Sequence, residues 1–276
     1  MIRISLFIAT PDMPDVAYVH LFKDEIEENV RKAAQFGFDA VELLIGDPAS
    51  FDCERLEKAL AASQIDLACI NTGRMVSQFG LTLIHRDQNI RKRAFNKFQE
   101  LVRICSRFGC ALNIGLFRGG ALEGRPIAYS KDLFVGIMKD ACDYARPFGV
   151  TLNFEPTNRF EINFIHTTDE GLEIIRRVDR PNLGLLLDLN HMYIEDTSIE
   201  ESILKARDYM RHFHFSDSDR WPAGVSHGVI DFRAIMALLK RINYSGHLSE
   251  GLVPMENVEE CARKTAAYLK ELIASV

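Results

Sequence analysis

Four side chains that can bind a cation lie at the ends of short apolar runs in the second half of the chain. They are Glu155, Asp188, His214 and Glu250, and their positions differ by 33, 26 and 36 residues. A carboxylate at the end of a buried strand leaves an apolar layer, so it must be paired, protonated or bound to a cation. Because the four residues recur about once per strand-and-helix unit, their spacing predicts that they converge on one cation.

Three carboxylates and one imidazole would form a hard site with mixed oxygen and nitrogen donors. Such a set suits Mn²⁺, Mg²⁺ or Co²⁺ better than a structural zinc, which usually takes thiolates or several histidines. For each residue alone, a helix cap or a salt bridge is the alternative interpretation. For all four together we predict a divalent metal cofactor, with Mn²⁺ as the first choice.

The elements that would position these residues follow a regular alternation of apolar runs and helical patterns. Near-continuous apolar runs are typical of parallel strands covered on both faces, and they fall near 2–9, 38–44, 66–71, 110–116, 150–155, 183–188, 211–216 and 246–250. Helical patterns fill the intervals at 23–36, 54–63, 89–109, 129–147, 168–178, 199–209, 231–242 and 257–274. The pattern predicts an α/β fold, a single (β/α)8 TIM barrel over 1–276, with a doubly wound open sheet as the alternative.

The barrel prediction gives the four residues a common location. Active sites of this fold lie at the C-terminal ends of the strands, and all four residues fall at the ends of predicted strands five to eight. Two long connections, 71–88 and 116–128, leave from the same face. We expect them to form a wall or a lid over the site.

Further polar residues lie just beyond the predicted ligands. Glu161, His191 and Arg220 follow the first three of them by six, three and six residues, in positions suited to holding a hydroxylated molecule. Arg118, just past strand four, is a candidate partner for a substrate carboxylate or phosphate, with a surface ion pair as the alternative. His227, in the loop after strand seven, is a candidate for contact with substrate or metal.

Composition limits the partners and the compartment. The chain has 276 residues and a net charge of −6, and it shows no basic patch of the kind that binds nucleic acid. No apolar run approaches the roughly 20 residues of a membrane helix, and the stretch 2–9 is interpreted as a strand rather than a signal peptide. The six cysteines (53, 69, 105, 110, 142 and 261) form no CxxC pair. Reduced thiols and a cytoplasmic location are therefore predicted.

The motifs carry a resemblance to a known family. The segments Glu155–Glu161, Asp188–Ser198 and His214–Arg220, together with Glu250, resemble the sugar isomerase/epimerase family with xylose-isomerase-like TIM barrels, and above all ketose 3-epimerases such as D-tagatose 3-epimerase. Asn-Thr-Gly at 71–73, Gly-Leu-Phe-Arg-Gly at 115–119 and Ser-Asp-Arg-Trp at 218–221 are still more similar to the 5-keto-L-gluconate epimerases.

That resemblance implies a role for each residue. Glu155 and Glu250 would act as the acid/base pair on opposite faces of the substrate, and both would bind the metal together with Asp188 and His214. His191 and Arg220 would hold the carbonyl end, while Glu161 would hydrogen-bond a hydroxyl group. The chain departs from the ketose epimerases at two pairs, which leave the substrate open: Leu189-Asn190 in place of Thr-Phe and Gly251-Leu252 in place of Pro-Phe.

The chemistry follows from the weak acidity of a C–H next to a ketone. A metal that polarises the carbonyl stabilises the enediolate, so that one carboxylate can remove the proton and a second can return one on the other face. Together with the resemblance to the ketose 3-epimerases, this chemistry implies a C3 epimerase of a ketose or keto-acid sugar, and a homo-oligomer is left open. The alternatives on the same fold are an aldose–ketose isomerase and an inosose-type dehydratase. An endonuclease-type metal site for abasic DNA and a non-catalytic sugar-binding protein are less favoured.

Overall fold

The computed structural model describes residues 1–13, 22–252 and 256–276. Eight strands form a closed parallel barrel in chain order, and the last strand pairs with the first. The predicted α/β barrel is therefore confirmed. The strands are β1 Arg3–Ala9, β2 Ala40–Leu44, β3 Asp66–Asn71, β4 Ala111–Ile114, β5 Leu152–Phe154, β6 Leu183–Asp188, β7 Met210–His214 and β8 His247–Glu250.

Helices surround the barrel and connect its strands. In the described part of the chain they are α1 Ile26–Phe36, α2 Cys53–Ser63, α3 Gly73–Ser77, α4 Gln88–Phe108, α5 Ile127–Ala145, α6 Thr168–Val178, α7 Leu189–Glu195, α8 Ile199–Ala206, α9 Phe232–Arg241 and α10 Val258–Ser275. The short helices α3 and α7 were not predicted. Each begins within two residues of the C-terminal end of a strand. None of the described helices is long and apolar enough to cross a membrane.

Local sequence signals explain where several helices begin and end. Thr167 and Glu170 form a reciprocal capping box at the start of α6, and the side chain of Asp231 accepts from the backbone N–H of Ala234 at 3.0 Å at the start of α9. Gly37 ends α1 with φ of 100°, a left-handed conformation that glycine adopts without steric cost. The helices thus turn back toward the barrel at the points that the sequence predicts.

Strand register decides which side chains enter the barrel. Ser5 of β1 pairs with Ser249 of β8, and their hydroxyl groups contact each other inside the barrel. Leu6 pairs with Glu250, and it faces the opposite side because successive side chains of a strand alternate. Leu6 is fully buried in the hydrophobic core. The barrel therefore has a polar interior and an apolar outer face that packs against the helices.

The two long connections pack against each other at the mouth. The backbone N–H groups of Leu83 and Ile84 donate to the carbonyl oxygens of Phe117 and Arg118 at 2.9 and 2.8 Å. Leu83, Ile84 and Phe117 are buried. The segments 71–88 and 116–128 therefore form a packed wall, in agreement with the expectation.

Candidate active site

Three of the four predicted ligands converge at the mouth of the barrel. The Nδ1 atom of His214 lies 3.3 Å from Oε1 of Glu155 and 3.5 Å from Oδ2 of Asp188. The Nε2 atom of His191 lies 3.7 and 3.9 Å from the same two oxygens. Two carboxylates and two imidazoles thus surround one small volume, and all four side chains are largely buried.

Asp188 combines two roles through its two oxygens. Its Oδ1 atom accepts the backbone N–H groups of Asn190 and His191 at 2.8 and 3.1 Å, which caps α7. Its Oδ2 atom faces His214. Burial opposes the charged form of Asp188, but the neighbouring histidines and Arg220 outweigh burial and lower its pKa. The helix cap and the ligand role are therefore compatible, because each uses a different oxygen.

Glu155 is held where two strands end side by side. A Cβ atom at position 115 would collide with the Oε2 atom of Glu155, so a larger residue there would displace this carboxylate from its present position. The Nη1 atom of Arg118 donates to the backbone carbonyl of Glu155 at 3.0 Å. The close approach and the backbone clamp fix the direction in which the carboxylate points.

His214 is oriented by a carboxylate that lies deeper in the barrel. Its Nε2 atom lies 3.2 Å from Oε1 of Glu42, a fully buried carboxylate on β2. Burial opposes the imidazolium, but the carboxylates of Glu42, Asp188 and Glu155 outweigh it and raise the pKa of His214 well above its usual value. A bound cation would take the place of the proton on Nδ1, since metal ligation requires the free nitrogen.

Glu42 is the centre of a hydrogen-bonded network inside the barrel. It also accepts from Nε2 of His212 at 2.7 Å and from the side-chain amides of Asn71 and Asn113 at 2.8 and 3.0 Å. Glu42 is not among the residues predicted from the sequence, because it lies in the middle of a strand rather than at its end. A single charged residue inside the run Ala-Val-Glu-Leu-Leu was the available signal.

Glu250 does not join the other three predicted ligands in the structure, and its roles as metal ligand and acid/base stay a prediction. It shares the outer face of the barrel with Leu6, while its neighbour Ser249 points inward and bonds Nε2 of His212 at 2.9 Å. Both carboxylate oxygens of Glu250 are buried without a hydrogen-bond partner of normal geometry. Burial raises its pKa well above the usual value, although the backbone amide of Ala223 lies close enough to lower it somewhat.

Arg118 is also placed differently from the prediction. It is fully buried, and its guanidinium donates to the carbonyl oxygens of Gly115, Glu155, Phe164 and Ile165 and to Oγ1 of Thr157. Burial lowers its pKa to about 10. The alternative of a surface ion pair is therefore wrong, because the buried guanidinium joins loops through five acceptors, whereas its contact with a substrate stays a prediction.

His227 lies outside the site. Its side chain is exposed, its backbone N–H donates to Asp219 at 2.9 Å, and its ring is 5.8 Å from that of Trp221. The loop after β7 folds back on itself at this point. Contact of His227 with substrate or metal stays a prediction.

The three remaining predicted residues form one chain of contacts at the rim. The side-chain amide of Asn158 lies 2.8 Å from Nδ1 of His191 and donates to Oε1 of Glu161 at 3.1 Å. Glu161 forms a salt bridge with Arg220. The structure thus brings Glu161, His191 and Arg220 together beside the cluster of Glu155, Asp188 and His214.

The donor set fits a divalent cation. Oxygens of two carboxylates converge on one imidazole nitrogen, and such a hard mixed set suits Mn²⁺, Mg²⁺ or Co²⁺. The three residues that would hold the ion are Glu155, Asp188 and His214. His191 is close enough to be a fourth donor or to contact a bound molecule.

Residues 30–272 match the family model described as the xylose isomerase-like TIM barrel. The chain belongs to this family.

Among curated relatives, the L-ribulose 3-epimerase of Methylomonas sp. (strain DH-1) is 28% identical over 222 residues, which are 79% of this chain and 74% of the relative. The ketose 3-epimerase of Arthrobacter globiformis is 28% identical over 240 residues, 82% of this chain and 77% of the relative. Among solved structures, the D-allulose 3-epimerase from Methylomonas sp. in complex with D-allulose superposes with a TM-score of 0.80 at 22% identity, covering 98% of this chain and 97% of that one. This superposition establishes the shared fold.

Proposed function

We propose that this protein is a divalent-metal-dependent epimerase that inverts C3 of a ketose or keto-acid sugar. The observation that carries the proposal is the convergence of Glu155, Asp188 and His214 on one small volume at the barrel mouth, with His214 Nδ1 3.3 and 3.5 Å from the two carboxylates. The relatives named ketose 3-epimerases support the substrate class. Mn²⁺ is the metal we propose, and a cytoplasmic location stays a prediction.

A bound divalent ion would polarise the substrate carbonyl and stabilise the enediolate that forms when C3 loses its proton. Glu155 is the carboxylate that removes this proton, because it faces the mouth and is oriented by Gly115 and Arg118. His191 and Arg220 hold the carbonyl end of the substrate, and Glu161 accepts a hydrogen bond from a hydroxyl group. A positioned base of this kind contributes about 10²–10⁴-fold to the rate.

The return of the proton to the other face requires a second acid. Glu250 faces away from the mouth. Its side chain lies on the outer face of the barrel, as does that of its pairing partner Leu6 on β1. The proposal therefore assigns the removal of the proton to Glu155, and the Glu250→Gln variant decides whether Glu250 returns the second proton.

Proton exchange in deuterated water tests the proposal directly. The enzyme with Mn²⁺ is incubated with D-fructose, D-fructuronate or D-fructose 6-phosphate, which represent neutral ketoses, keto-uronates and ketose phosphates, and NMR locates the deuterium. We expect deuterium at C3 of at least one compound and its loss in Glu155→Gln. The matched variant Glu250→Gln is expected to retain exchange. Deuterium at C1 or C2 would instead indicate an aldose–ketose isomerase, and equal loss in both variants would return Glu250 to the reaction.

A further inference from the structure

Asn158 is a buried amide that joins two polar residues at the rim of the site. It is 2% exposed, and its side-chain nitrogen lies 2.8 Å from Nδ1 of His191 and 3.1 Å from Oε1 of Glu161. Its backbone carbonyl accepts from the N–H of Glu161 at 3.1 Å, which closes a tight turn. A single amide therefore contacts both His191 and Glu161, although Asn158 is not among the residues predicted from the sequence.

The orientation of this amide is fixed by a third partner. The backbone N–H of Phe160 donates to Oδ1 of Asn158 at 2.9 Å. Because a backbone N–H can only donate, the atom that accepts from it must be the amide oxygen. The carboxylate of Glu161, which is paired with Arg220, can only accept and therefore requires the amide nitrogen on its own side. The NH₂ group of Asn158 thus donates once to Glu161 and once to His191.

The tautomer of His191 follows from the orientation of the amide. A ring nitrogen that receives an N–H group at 2.8 Å must offer a lone pair, so Nδ1 of His191 carries no proton. A neutral imidazole then carries its single proton on Nε2. The Nε2 atom lies 3.7 Å from Oε1 of Glu155 and 3.9 Å from Oδ2 of Asp188, and both distances exceed that of a hydrogen bond. The Nε2–H group therefore lies beside the two carboxylates and can donate to a bound molecule.

The two histidines of the site are held in opposite tautomeric senses. Glu42 accepts from Nε2 of His214 and leaves the lone pair of Nδ1 on the side of the site. Asn158 donates to Nδ1 of His191 and leaves the proton on the nitrogen that faces the site. Because a metal ion binds only an unprotonated ring nitrogen, one ring is prepared as a ligand and the other as a hydrogen-bond donor.

On the basis of the proposed function, we infer that Asn158 is a positioning residue that keeps Nε2 of His191 protonated, so that His191 donates to the carbonyl oxygen of the substrate and does not bind the metal. This oxygen gains negative charge in the enediolate, and a donor already aimed at it stabilises that charge. If His191 bound the cation through Nε2, the site would lose this donor. The amide of Asn158 thus decides between the two roles that the position of His191 allows.

Nitrogen NMR of the protein labelled with ¹⁵N at histidine shows which ring nitrogens are protonated. The signals of His191 are assigned by their absence in His191→Gln, and Mg²⁺ is used because it is diamagnetic. We expect an unprotonated Nδ1 and a protonated Nε2 in His191, both before and after Mg²⁺ is added. A proton on Nδ1 of the unaltered protein, or loss of the Nε2 proton when Mg²⁺ is added, would overturn the inference.

The variant Asn158→Asp replaces the donor by an acceptor of nearly the same shape. Its carboxylate can still accept from Phe160, but it cannot donate, so Nδ1 of His191 should gain a proton. The control Asn163→Asp adds the same charge to the same loop at an exposed residue, whose oxygen accepts from the backbone N–H of Ala121 at 3.0 Å. We expect protonation of Nδ1 in Asn158→Asp alone.

The rate of deuterium exchange at C3 provides a second measurement on the same two variants. We expect it to fall by about 10–100-fold in Asn158→Asp, as is typical when the partner that orients a site residue is lost, and to stay unchanged in Asn163→Asp. An unprotonated Nδ1 in Asn158→Asp, or an undiminished rate despite a proton on Nδ1, would overturn the inference. If Asn158→Asp does not fold, the spectrum of the unaltered protein still decides.

The inference and the proposed function can fail separately. The protonation of His191 is measured without substrate, so its result does not depend on turnover. Exchange at C3 by an unaltered protein in which Nδ1 of His191 is protonated would refute only the role of Asn158. Lack of exchange with all three compounds in an unaltered protein whose Nε2 is protonated would refute the proposed function.

Discussion

Replacing Glu42 by glutamine tests whether the barrel interior sets the ligand nitrogen of His214. The Oε1 atom of Glu42 accepts from Asn71, Asn113 and His214, and Oε2 accepts from His212. Because a carboxylate can only accept, Nε2 of His214 must carry the proton. The Nδ1 atom is then the one that faces Glu155 and Asp188. Such outer partners typically change metal affinity by about 10–100-fold when removed.

The size of the effect follows from the donors around each oxygen. In Glu42→Gln the amide oxygen best replaces Oε1, which has three donors, and the amide nitrogen then opposes Nε2 of His212 until that ring changes tautomer. His214 keeps an acceptor, but a neutral one. Hydrogen bonds to charged groups contribute about 1.5–3 kcal/mol and neutral ones about 0.5–1.5 kcal/mol. A loss of about 1–2 kcal/mol corresponds to about 5–30-fold weaker Mn²⁺ binding.

Isothermal titration with Mn²⁺ measures this loss, and urea unfolding checks that the variant is folded. Glu195→Gln is the matched control, because Glu195 is a buried carboxylate paired with Arg159 and lies outside the Glu42 network. We expect the control to bind Mn²⁺ as the unaltered protein does. A folded Glu42→Gln variant whose Mn²⁺ affinity stays within twofold would refute the reasoning.

Three further predictions concern other buried groups. Arg118→Lys removes most of the five-acceptor clamp and should lower the free energy of unfolding in urea by about 2–4 kcal/mol; an effect no larger than that of the exposed control Arg86→Lys would contradict it. Burial raises the pKa of Glu250 in the folded protein. The contribution of this group to stability is therefore fully present below about pH 4.3, the pKa of an unperturbed glutamate, and it is lost as the pH rises through the raised pKa. The gain in Tm from Glu250→Gln should therefore be larger at pH 8 than at pH 5, and a constant gain would argue against burial of this carboxyl. The raised pKa of His214 means that Mn²⁺ displaces a proton, so affinity should rise with pH, by up to about tenfold per unit, until the pH passes that raised pKa; calorimetry in two buffers counts the protons, and none released would oppose it.

The alternation of apolar runs and helical patterns was enough to predict the barrel. Each parallel strand needs a crossover helix, and a buried strand requires a continuous apolar run. Local sequence patterns are therefore enough to predict the order of the strands and helices. The ends of those runs also identified Glu155, Asp188 and His214, because one mouth collects the C-terminal ends of all the strands. For these three residues, position along a strand and position in space coincide.

Tertiary structure decided what depends on the face of a strand. Glu250 and Ser249 are neighbours in sequence, and only pairing with Leu6 and Ser5 of β1 determines which of them enters the barrel, since a shift of one residue exchanges the two faces. Arg118 was undetermined for a similar reason. Its five acceptors come from segments up to 47 residues away, and they meet only when the loops after β4 and β5 pack together.

The polar interior of the barrel could not be predicted from the sequence either. Glu42 and His214 are separated by 172 residues, and their hydrogen bond exists because two distant strands present polar side chains inside one closed barrel. The sequence thus determined the fold and three groups that can bind a cation. The tertiary structure decided how those groups are oriented and on which face of β8 Glu250 lies, because these properties depend on register between strands far apart in the chain.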